Sequence, residues 1–290
     1  MGVLSNHPFV KMNGLGNEIV VVDMRPNPNP ITATDARSAA AGVRYDQLMA
    51  IYPARTTDAD ALVCIFNNDG SEAGACGNGM RCVADILFKE SRKTSLVLEI
   101  RTGLLKCWQG ATPLTCTVDM GVPRFGWDEI PLAKAFSDTR RIDLAVGPSD
   151  RPTLHSPSVA NMGNPHAIFW VDDIDAYDLG EIGPLLESHP VFPDRANISL
   201  ARVVTREHLM VRTWERGAGL TRACGSAACA ALVCASRTGR AERKAIVKLP
   251  GGDLAVEWRS DDRVLMTGPV EYEFEGRFDP ALFASAEPAR

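Results

Sequence analysis

The stretch Gly74-Ala75-Cys76-Gly77-Asn78-Gly79-Met80-Arg81-Cys82 places a cysteine at a glycine-rich turn that leads into a helical pattern. A second stretch, Arg222-Ala223-Cys224-Gly225-Ser226-Ala227-Ala228-Cys229, does the same in the other half of the chain. Backbone N–H groups at a helix N-terminus bind anions and stabilise a thiolate. Two such sites facing each other would place an acid/base thiol on each side of a bound carboxylate. That arrangement suits inversion at a carbon that carries a proton.

The two cysteine stretches belong to a longer internal repeat. Four pairs of landmarks recur in the same order at offsets of 147 to 150 positions: Gly16-Asn17 with Gly163-Asn164, Gln47 with Asn197, Asn67 with Glu215, and Cys76 with Cys224. A repeat of this length predicts a duplicated fold with an active site between the halves.

Composition excludes several classes of protein. The 290 residues, 45% of them hydrophobic, are enough for two domains with ordinary cores. The net charge is −5 and no block of Lys and Arg stands out, so we expect no nucleic-acid partner. No apolar run approaches the roughly 20 residues that span a bilayer, and the N-terminus lacks a signal-peptide pattern. We therefore expect a soluble, cytoplasmic protein that needs no membrane.

Metal ions and cofactors are not expected either. The eight cysteines form no Cys-x-x-Cys pair, and the five histidines do not cluster at ligand spacing. The segment Gly14-Leu15-Gly16 precedes its strand, whereas a dinucleotide-binding loop follows one. No signature of a pyridoxal enzyme is visible.

The hydrophobic pattern predicts many strands around two long helices that begin at the cysteines, from Gly77 to about Glu90 and from Ser226 to about Arg237. A shorter helix is predicted over Thr34–Ala41, with Thr34 as its cap. This balance predicts an α+β protein with two similar lobes. We place the N-terminal lobe at 1–122, completed by a C-terminal strand at about 268–282, and the C-terminal lobe at 123–267.

Deprotonating an amino-acid α-carbon without a cofactor requires a strong base and stabilisation of the developing enolate-like charge. The helix starts at Gly77-Asn78 and Gly225-Ser226 would supply that stabilisation to the substrate carboxylate. A moderately lowered thiol pKa would make a usable base at neutral pH, with one cysteine as thiolate and its partner as thiol.

Two further residues could hold or relay the proton. Glu215 could do so, or could form a salt bridge with a neighbouring arginine; His166 could do so, or could make a structural hydrogen bond in its Asn-Pro-His turn. Together with Arg216, which suits bidentate carboxylate recognition, a set of amides could bind a second zwitterionic head of the substrate. This set comprises Asn13, Gln47, Asn67, Asn164 and Asn197.

These residues resemble the diaminopimelate epimerase family over nearly the whole chain, from Met12 to about Gly268. The most specific motifs are Met12-Asn13-Gly14-Leu15-Gly16-Asn17, Asn67 to Cys82, Gly163-Asn164-Pro165-His166 and Trp214 to Cys229. The resemblance implies two pseudo-symmetric lobes, each a mixed β-sheet curled around a central helix, with the active site in the cleft between them. It also implies interconversion of LL- and meso-diaminopimelate in lysine and cell-wall synthesis.

The family's functional residues carry over onto matching positions. Cys76 and Cys224 are implied to be the acid/base pair, with His166 and Glu215 supporting proton transfer. Substrate binding is implied for Asn13, Gln47, Asn67, Gly77, Asn78, Asn164, Asn197, Glu215, Arg216, Gly225 and Ser226. No cofactor or metal is implied. A homodimer is compatible with this interpretation, although no surface pattern predicts one.

The chain departs from the family pattern at two places. Arg44-Tyr45 replaces the usual Gly-Ala pair before Asp46-Gln47, and this bulk could shift Gln47. Ser226-Ala227 replaces Thr-Gly, which keeps the hydroxyl and still favours a helix.

Two alternative hypotheses share this architecture. One is a two-thiol racemase or epimerase for another amino acid, such as proline or hydroxyproline. The other is a non-catalytic thiol switch in which Cys76 and Cys224 form a disulfide.

Overall fold

The computed structural model describes residues 2–74, 76–147 and 153–284. The chain divides into two compact units. The first contains the residues up to Val118 together with those from Gly268 onward, and the second is Asp119–Thr267. No helix of the described residues is both long and apolar enough to cross a membrane.

The first unit is built from nine strands and two α-helices of the described chain. Its helices are α1 (Ala33–Gly42) and α2 (Gly77–Ser91). Its strands are β1 (Pro8–Asn13), β2 (Glu18–Asp23), β3 (Gln47–Tyr52), β4 (Ala61–Asn67), β5 (Glu72–Ala73), β6 (Ser95–Ile100), β7 (Gly103–Gln109), β8 (Thr115–Asp119) and β19 (Glu271–Arg277). A 3-10 turn at Pro280–Phe283 follows β19.

The second unit repeats this order of elements after a short strand pair, β9 (Ala145–Val146) with β10 (Leu154–His155). Its helices are α3 (Leu179–Glu187) and α4 (Gly225–Arg237). Its main strands are β11 (Ser158–Asn161), β12 (Pro165–Trp170), β13 (Asn197–Thr205), β14 (His208–Glu215), β15 (Gly219–Thr221), β16 (Lys244–Leu249), β17 (Gly252–Trp258) and β18 (Val264–Pro269).

Strand directions repeat as well as strand order. In the first unit β1–β2 is antiparallel, β2–β3 is parallel and β3–β4 is antiparallel, and β6 after the helix runs parallel to β4. The second unit has the same four relationships among β11, β12, β13, β14 and β16. The duplication that the spacing of landmarks predicts is therefore a repeat of mixed sheets.

Each cysteine motif heads the central helix of its unit. In α2, 10 of 15 residues are buried, and in α4 it is 10 of 13, so both helices lie inside their units. Helix α4 contacts six strands of its unit, β11, β12, β13, β14, β16 and β17, and α2 contacts β2, β3, β6 and β7. Helices with so many buried residues are stable only when neighbouring elements cover them, and the strands that they contact do so here. The predicted α+β class, with a mixed sheet around a central helix in each half, is confirmed.

Strand β19 returns the chain to the first unit. It pairs antiparallel with β1, from Pro8 opposite Arg277 to Asn13 opposite Glu271. Phe278 and Phe283 then join the hydrophobic core around α1 and β2–β4.

Two local expectations need correction. The short helix begins at Ala33, and its cap is Thr32: the Thr32 hydroxyl accepts from Asp35 N, and the Asp35 carboxylate accepts from Thr32 N in a capping box. His166 lies in β12, one residue after its start, and not in a turn.

Candidate active site

Cys76 is the N-cap of α2. Its backbone is extended (φ −150°, ψ 99°), and its Sγ accepts a hydrogen bond from Gly79 N at 3.3 Å. The side chain is half-buried, and the first two helical residues, Gly77 and Asn78, follow it directly. The thiol therefore lies beside the backbone N–H groups of a helix start, as the sequence predicts.

Two amide side chains present oxygen atoms to this thiol. The Cys76 Sγ lies 3.6 Å from Gln47 Oε1 and 3.7 Å from Asn17 Oδ1, so the thiol can donate to either. Asn17 is fixed by its own donation to Asp46 Oδ2 at 2.9 Å. The Cys76 Sγ therefore has both a backbone N–H from which it accepts and amide oxygens to which it can donate.

The turn after β1 covers the start of α2. Asn13 Oδ1 accepts from Gly16 N at 2.6 Å, and Leu15 and Gly16 have positive φ angles. A Cβ on Gly14 would lie only 3.0 Å from the Cβ of Asn78, so a side chain there would push the turn off the helix. The glycine-rich turn thus packs directly against the start of the helix that follows Cys76.

The bulk at Arg44-Tyr45 does not displace Gln47 from Cys76. The Arg44 side chain is 90% exposed, and Tyr45 turns inward, where its hydroxyl donates to Ala36 O at 2.5 Å. Gln47 then starts β3 opposite Asn67 of β4, and its amide nitrogen donates to Asn67 Oδ1 at 3.3 Å.

Cys224 is the corresponding N-cap of α4, and it is more deeply buried. Only 5% of the residue is exposed, and its Sγ lies 3.5 Å from Ser226 Oγ. Burial raises the pKa of the Cys224 thiol well above its ordinary value, and the nearby Glu215 carboxylate raises it further. At Cys224 the loss of water on burial outweighs the effect of the helix start.

Glu215 lies at the end of β14, one strand before the cysteine motif. Its carboxylate accepts a short hydrogen bond from the Thr221 hydroxyl of β15, the strand that pairs with β14 and places Gly219 directly opposite Glu215. Thr221 therefore fixes the carboxylate that faces Cys224. Nothing in the sequence pattern marks Thr221, so the sequence does not predict this residue as part of the site.

His166 is completely buried and linked to two of the predicted amides. Its Nε2 lies 2.8 Å from Asn164 Oδ1 and 3.5 Å from Asn197 Nδ2. Burial lowers the pKa of His166 to about 3, which keeps the ring neutral. Within the described residues no hydrogen bond joins His166 to Cys224, so its part in proton transfer stays a prediction.

Asn197 ties this group to Arg216. The Asn197 amide donates to Pro165 O at 3.1 Å and accepts from Arg216 N at 2.9 Å. The Arg216 guanidinium donates to Asp194 O at 2.8 Å and forms no ion pair with a carboxylate of residues 2–74, 76–147 or 153–284. The sequence-predicted set of the second unit is thus connected by its own hydrogen bonds.

The structure also adds Asn17 to the first unit's group. Its counterpart in the internal repeat is Asn164, which the sequence analysis did select, so the repeat itself carried the signal. Among residues 2–74, 76–147 and 153–284, no group of three His, Cys, Asp or Glu side chains is placed to hold a metal ion.

Known proteins match this chain over almost its full length. The family model for diaminopimelate epimerase matches residues 9–126 and 158–273. A diaminopimelate epimerase of Rhodopseudomonas palustris (strain TIE-1) is 63% identical over 287 residues, covering 99% of this chain and 98% of that protein. One from Nitrobacter hamburgensis is 62% identical, with coverage of 98% and 99%.

The fold itself extends to more distant proteins. A hydroxyproline epimerase from Agrobacterium vitis, solved with bound trans-4-OH-L-proline, superposes with a TM-score of 0.68. It covers 95% of this chain and 93% of its own at 15% identity, which shows a shared fold alone. The high identity of the full-length relatives and the family model agree with the motifs around both cysteines: the chain belongs to the diaminopimelate epimerase family, whose members are isomerases.

Proposed function

We propose that this protein interconverts LL- and meso-2,6-diaminopimelate without a cofactor, using Cys76 and Cys224 as its acid/base pair. One observation supports this most directly. The same order of strands leads, in each unit, to a cysteine at the N-cap of a buried central helix. Family membership supports the substrate, since the full-length relatives carry this name at more than 60% identity.

The helix starts supply the site for the reacting carboxylate. The N-terminal N–H groups of α2, from Gly77-Asn78, and of α4, from Gly225-Ser226, carry partial positive charge. They would stabilise the enolate-like charge that develops when the α-proton leaves. The amides of both units and Arg216 would bind the distant carboxylate and ammonium of the same molecule.

The proton balance requires two thiols on opposite faces of one α-carbon. A thiolate takes the α-proton, becomes a thiol and leaves a carbanion. The second thiol donates its proton to the other face and becomes the thiolate. The configuration is inverted, no net proton is consumed, and the reverse reaction exchanges the two roles.

The local environment of Cys224 favours its thiol form before substrate binds. Cys224 is buried beside a carboxylate, and Cys76 faces amide oxygens. We infer that the positive helix ends and the substrate ammonium stabilise the reactive thiolate, which forms when one thiol releases its proton to solvent as the substrate binds. Such a base is strong because its surroundings exclude water.

The proposal includes a cytoplasmic location, as the setting of lysine and cell-wall precursor synthesis, and a small-molecule substrate with no nucleic-acid or membrane partner.

The test is turnover of LL-diaminopimelate by the freshly reduced protein in deuterated water, without added cofactor and followed by NMR. We expect deuterium at one α-carbon together with formation of the meso isomer. trans-4-Hydroxyproline serves as the comparison substrate. Turnover of hydroxyproline with none of diaminopimelate would overturn the proposal and favour the alternative racemase hypothesis.

A further inference from the structure

A cationic cavity lies in the second unit at the C-terminal end of α4. It has a volume of about 410 Å³ and is lined by four arginines, Arg140, Arg141, Arg237 and Arg240, together with Trp170 and Ser156. Since α4 has 13 residues, the cavity is about 20 Å from Cys224 at the other end of the helix. It is therefore separate from the thiol site of this unit, and we call it the arginine cavity.

Three of its four arginines form no ion pair within the part of the chain that the structure describes. Arg140 pairs with Asp138 at 3.0 Å, but Arg141, Arg237 and Arg240 have no carboxylate within ion-pair distance among the described residues. The carbonyl end of a helix carries about half a negative charge, which offsets only part of one guanidinium. Four arginines beside the single carboxylate of Asp138, which pairs with Arg140 and also acts on Arg237, leave this cavity cationic on a chain of net charge −5 and mark it as an anion site.

Aromatic rings hold two of these arginines in place. The Arg237 guanidinium lies 3.8 Å from the centre of the Phe125 ring, and it donates to Thr139 Oγ1 at 3.3 and 3.4 Å. The Arg240 guanidinium lies 5.1 Å from the centre of the Trp170 ring. Stacked guanidiniums keep their edge N–H groups free for hydrogen bonds, so they lose little entropy when an anion binds.

The wall of the cavity is fixed by a buried hydroxyl. Trp170 Nε1 donates to Ser158 Oγ at 2.9 Å, and this hydroxyl donates to Arg140 O at 2.7 Å. Ser158 is only 1% exposed, so the link between β12 and the segment of Arg140 is shielded from water. The Trp170 ring and the backbone of Arg140 are therefore held in place before an anion binds.

We propose that the arginine cavity binds a small phosphate-bearing anion. Phosphate matches the site because guanidiniums form bidentate hydrogen bonds with its oxygens. Its double negative charge also interacts favourably with several guanidiniums at once. The partial burial of Arg237 supports this, since desolvation lowers its pKa and an anion would restore the lost stabilisation. A cavity of this volume accommodates one small ligand.

The experiment is calorimetric titration of the full-length protein with inorganic phosphate, pyrophosphate and ADP, at constant ionic strength set with chloride. We expect saturable binding with a Kd of about 1 mM or tighter for at least one of them. Binding of inorganic phosphate and pyrophosphate, but not of ADP, would identify the ligand as an inorganic anion. A clear preference for ADP would identify it as an organic phosphate. No saturable heat from any of the three, or equal binding of succinate, would overturn the proposal.

Variants inside and outside the arginine cavity test whether the anion binds there. Arg141→Gln combined with Arg240→Gln should weaken binding about tenfold or more, because two charge-assisted contacts are removed. Arg202→Gln removes an exposed arginine of the same unit that does not line the cavity, and it should leave binding unchanged. Equal weakening in both proteins would show that overall charge, and not the cavity, attracts the anion. Binding is measured without turnover, so this result stands apart from the proposed reaction.

Discussion

Gln47 and Asn67 lie directly opposite each other on β3 and β4, and the Gln47 amide nitrogen donates to Asn67 Oδ1 across 3.3 Å. That bond turns the Gln47 carbonyl oxygen toward Cys76 Sγ, 3.6 Å away. The register of β3 and β4 therefore determines that an acceptor, the Gln47 carbonyl oxygen, faces the thiol. One residue of slip would send Gln47 to the other face of the sheet.

Gln47→Glu should lower kcat by about tenfold or more, because a carboxylate beside Sγ disfavours formation of the thiolate. The matched control is Gln109→Glu, an exposed position at the end of β7, which should keep full activity. Steady-state kinetics and thermal unfolding of both variants provide the check. Unchanged kcat in Gln47→Glu would remove Gln47 from the proposed site.

Cys224 should react slowly with alkylating agents at neutral pH and faster only above the ordinary thiol range, since its pKa is raised by burial and by Glu215. Glu215→Gln removes the negative charge and should move the rate profile to lower pH. Peptide mass spectrometry of alkylated Cys224 across pH measures both effects, with Glu207→Gln, on the turn after β13, as the control. A profile that Glu215→Gln leaves in place would contradict the assigned cause.

His166 should destabilise the fold in mild acid. Its folded pKa of about 3 lies below the unfolded value of 6.5, so only the unfolded chain gains the proton as the pH falls through this window. The free energy of unfolding should drop by about 2 kcal/mol between pH 6.5 and pH 5 from this residue alone. Urea unfolding at both pH values should show a smaller drop for His166→Gln, whereas the exposed His208→Gln should match the wild type. Equal drops in all three proteins would refute the claim.

Buried thiols should destabilise the fold in alkali. Burial raises the pKa of Cys82, Cys116 and Cys234 to about 12, so above the ordinary thiol pKa the unfolded chain loses protons that the folded chain keeps. Stability must therefore fall as the pH rises from about 9 toward 12. Cys234→Ala, within the alanine-rich α4, should reduce this slope, and denaturant unfolding between pH 8 and pH 10 measures it. A slope equal to that of the wild type would show that Cys234 does not contribute.

The sequence predicted the parts of the fold that have strong local signals. The two central helices were expected from Gly77 to about Glu90 and from Ser226 to about Arg237, and they are Gly77–Ser91 and Gly225–Arg237. Helix α3 was not expected, because it contains Pro184 and two glycines and therefore lacks a helical pattern. Strand β3 is a short apolar run without alternation, which periodicity alone does not assign.

The site residues also divide into those that have a local sequence signal and those that do not. The internal repeat and the cysteine motifs identified side chains that the structure groups around each thiol, such as Gln47 and Glu215. Thr221 and the raised pKa of Cys224 depend on tertiary burial and on hairpin register, which no local pattern reports. Helix-end electrostatics is visible in a sequence, and the loss of water that opposes it is not.

The central claim is that one thiol removes the α-proton and the other returns it. The most direct measurement compares wild-type protein with Cys76→Ala and Cys224→Ala, each incubated with LL-diaminopimelate in deuterated water and followed by NMR. The account predicts meso product with deuterium at the inverted carbon for the wild type. It also predicts loss of inversion by about a thousandfold or more in each variant with thermal unfolding little changed. Inversion at near-wild-type rate in either alanine variant would contradict the two-thiol mechanism.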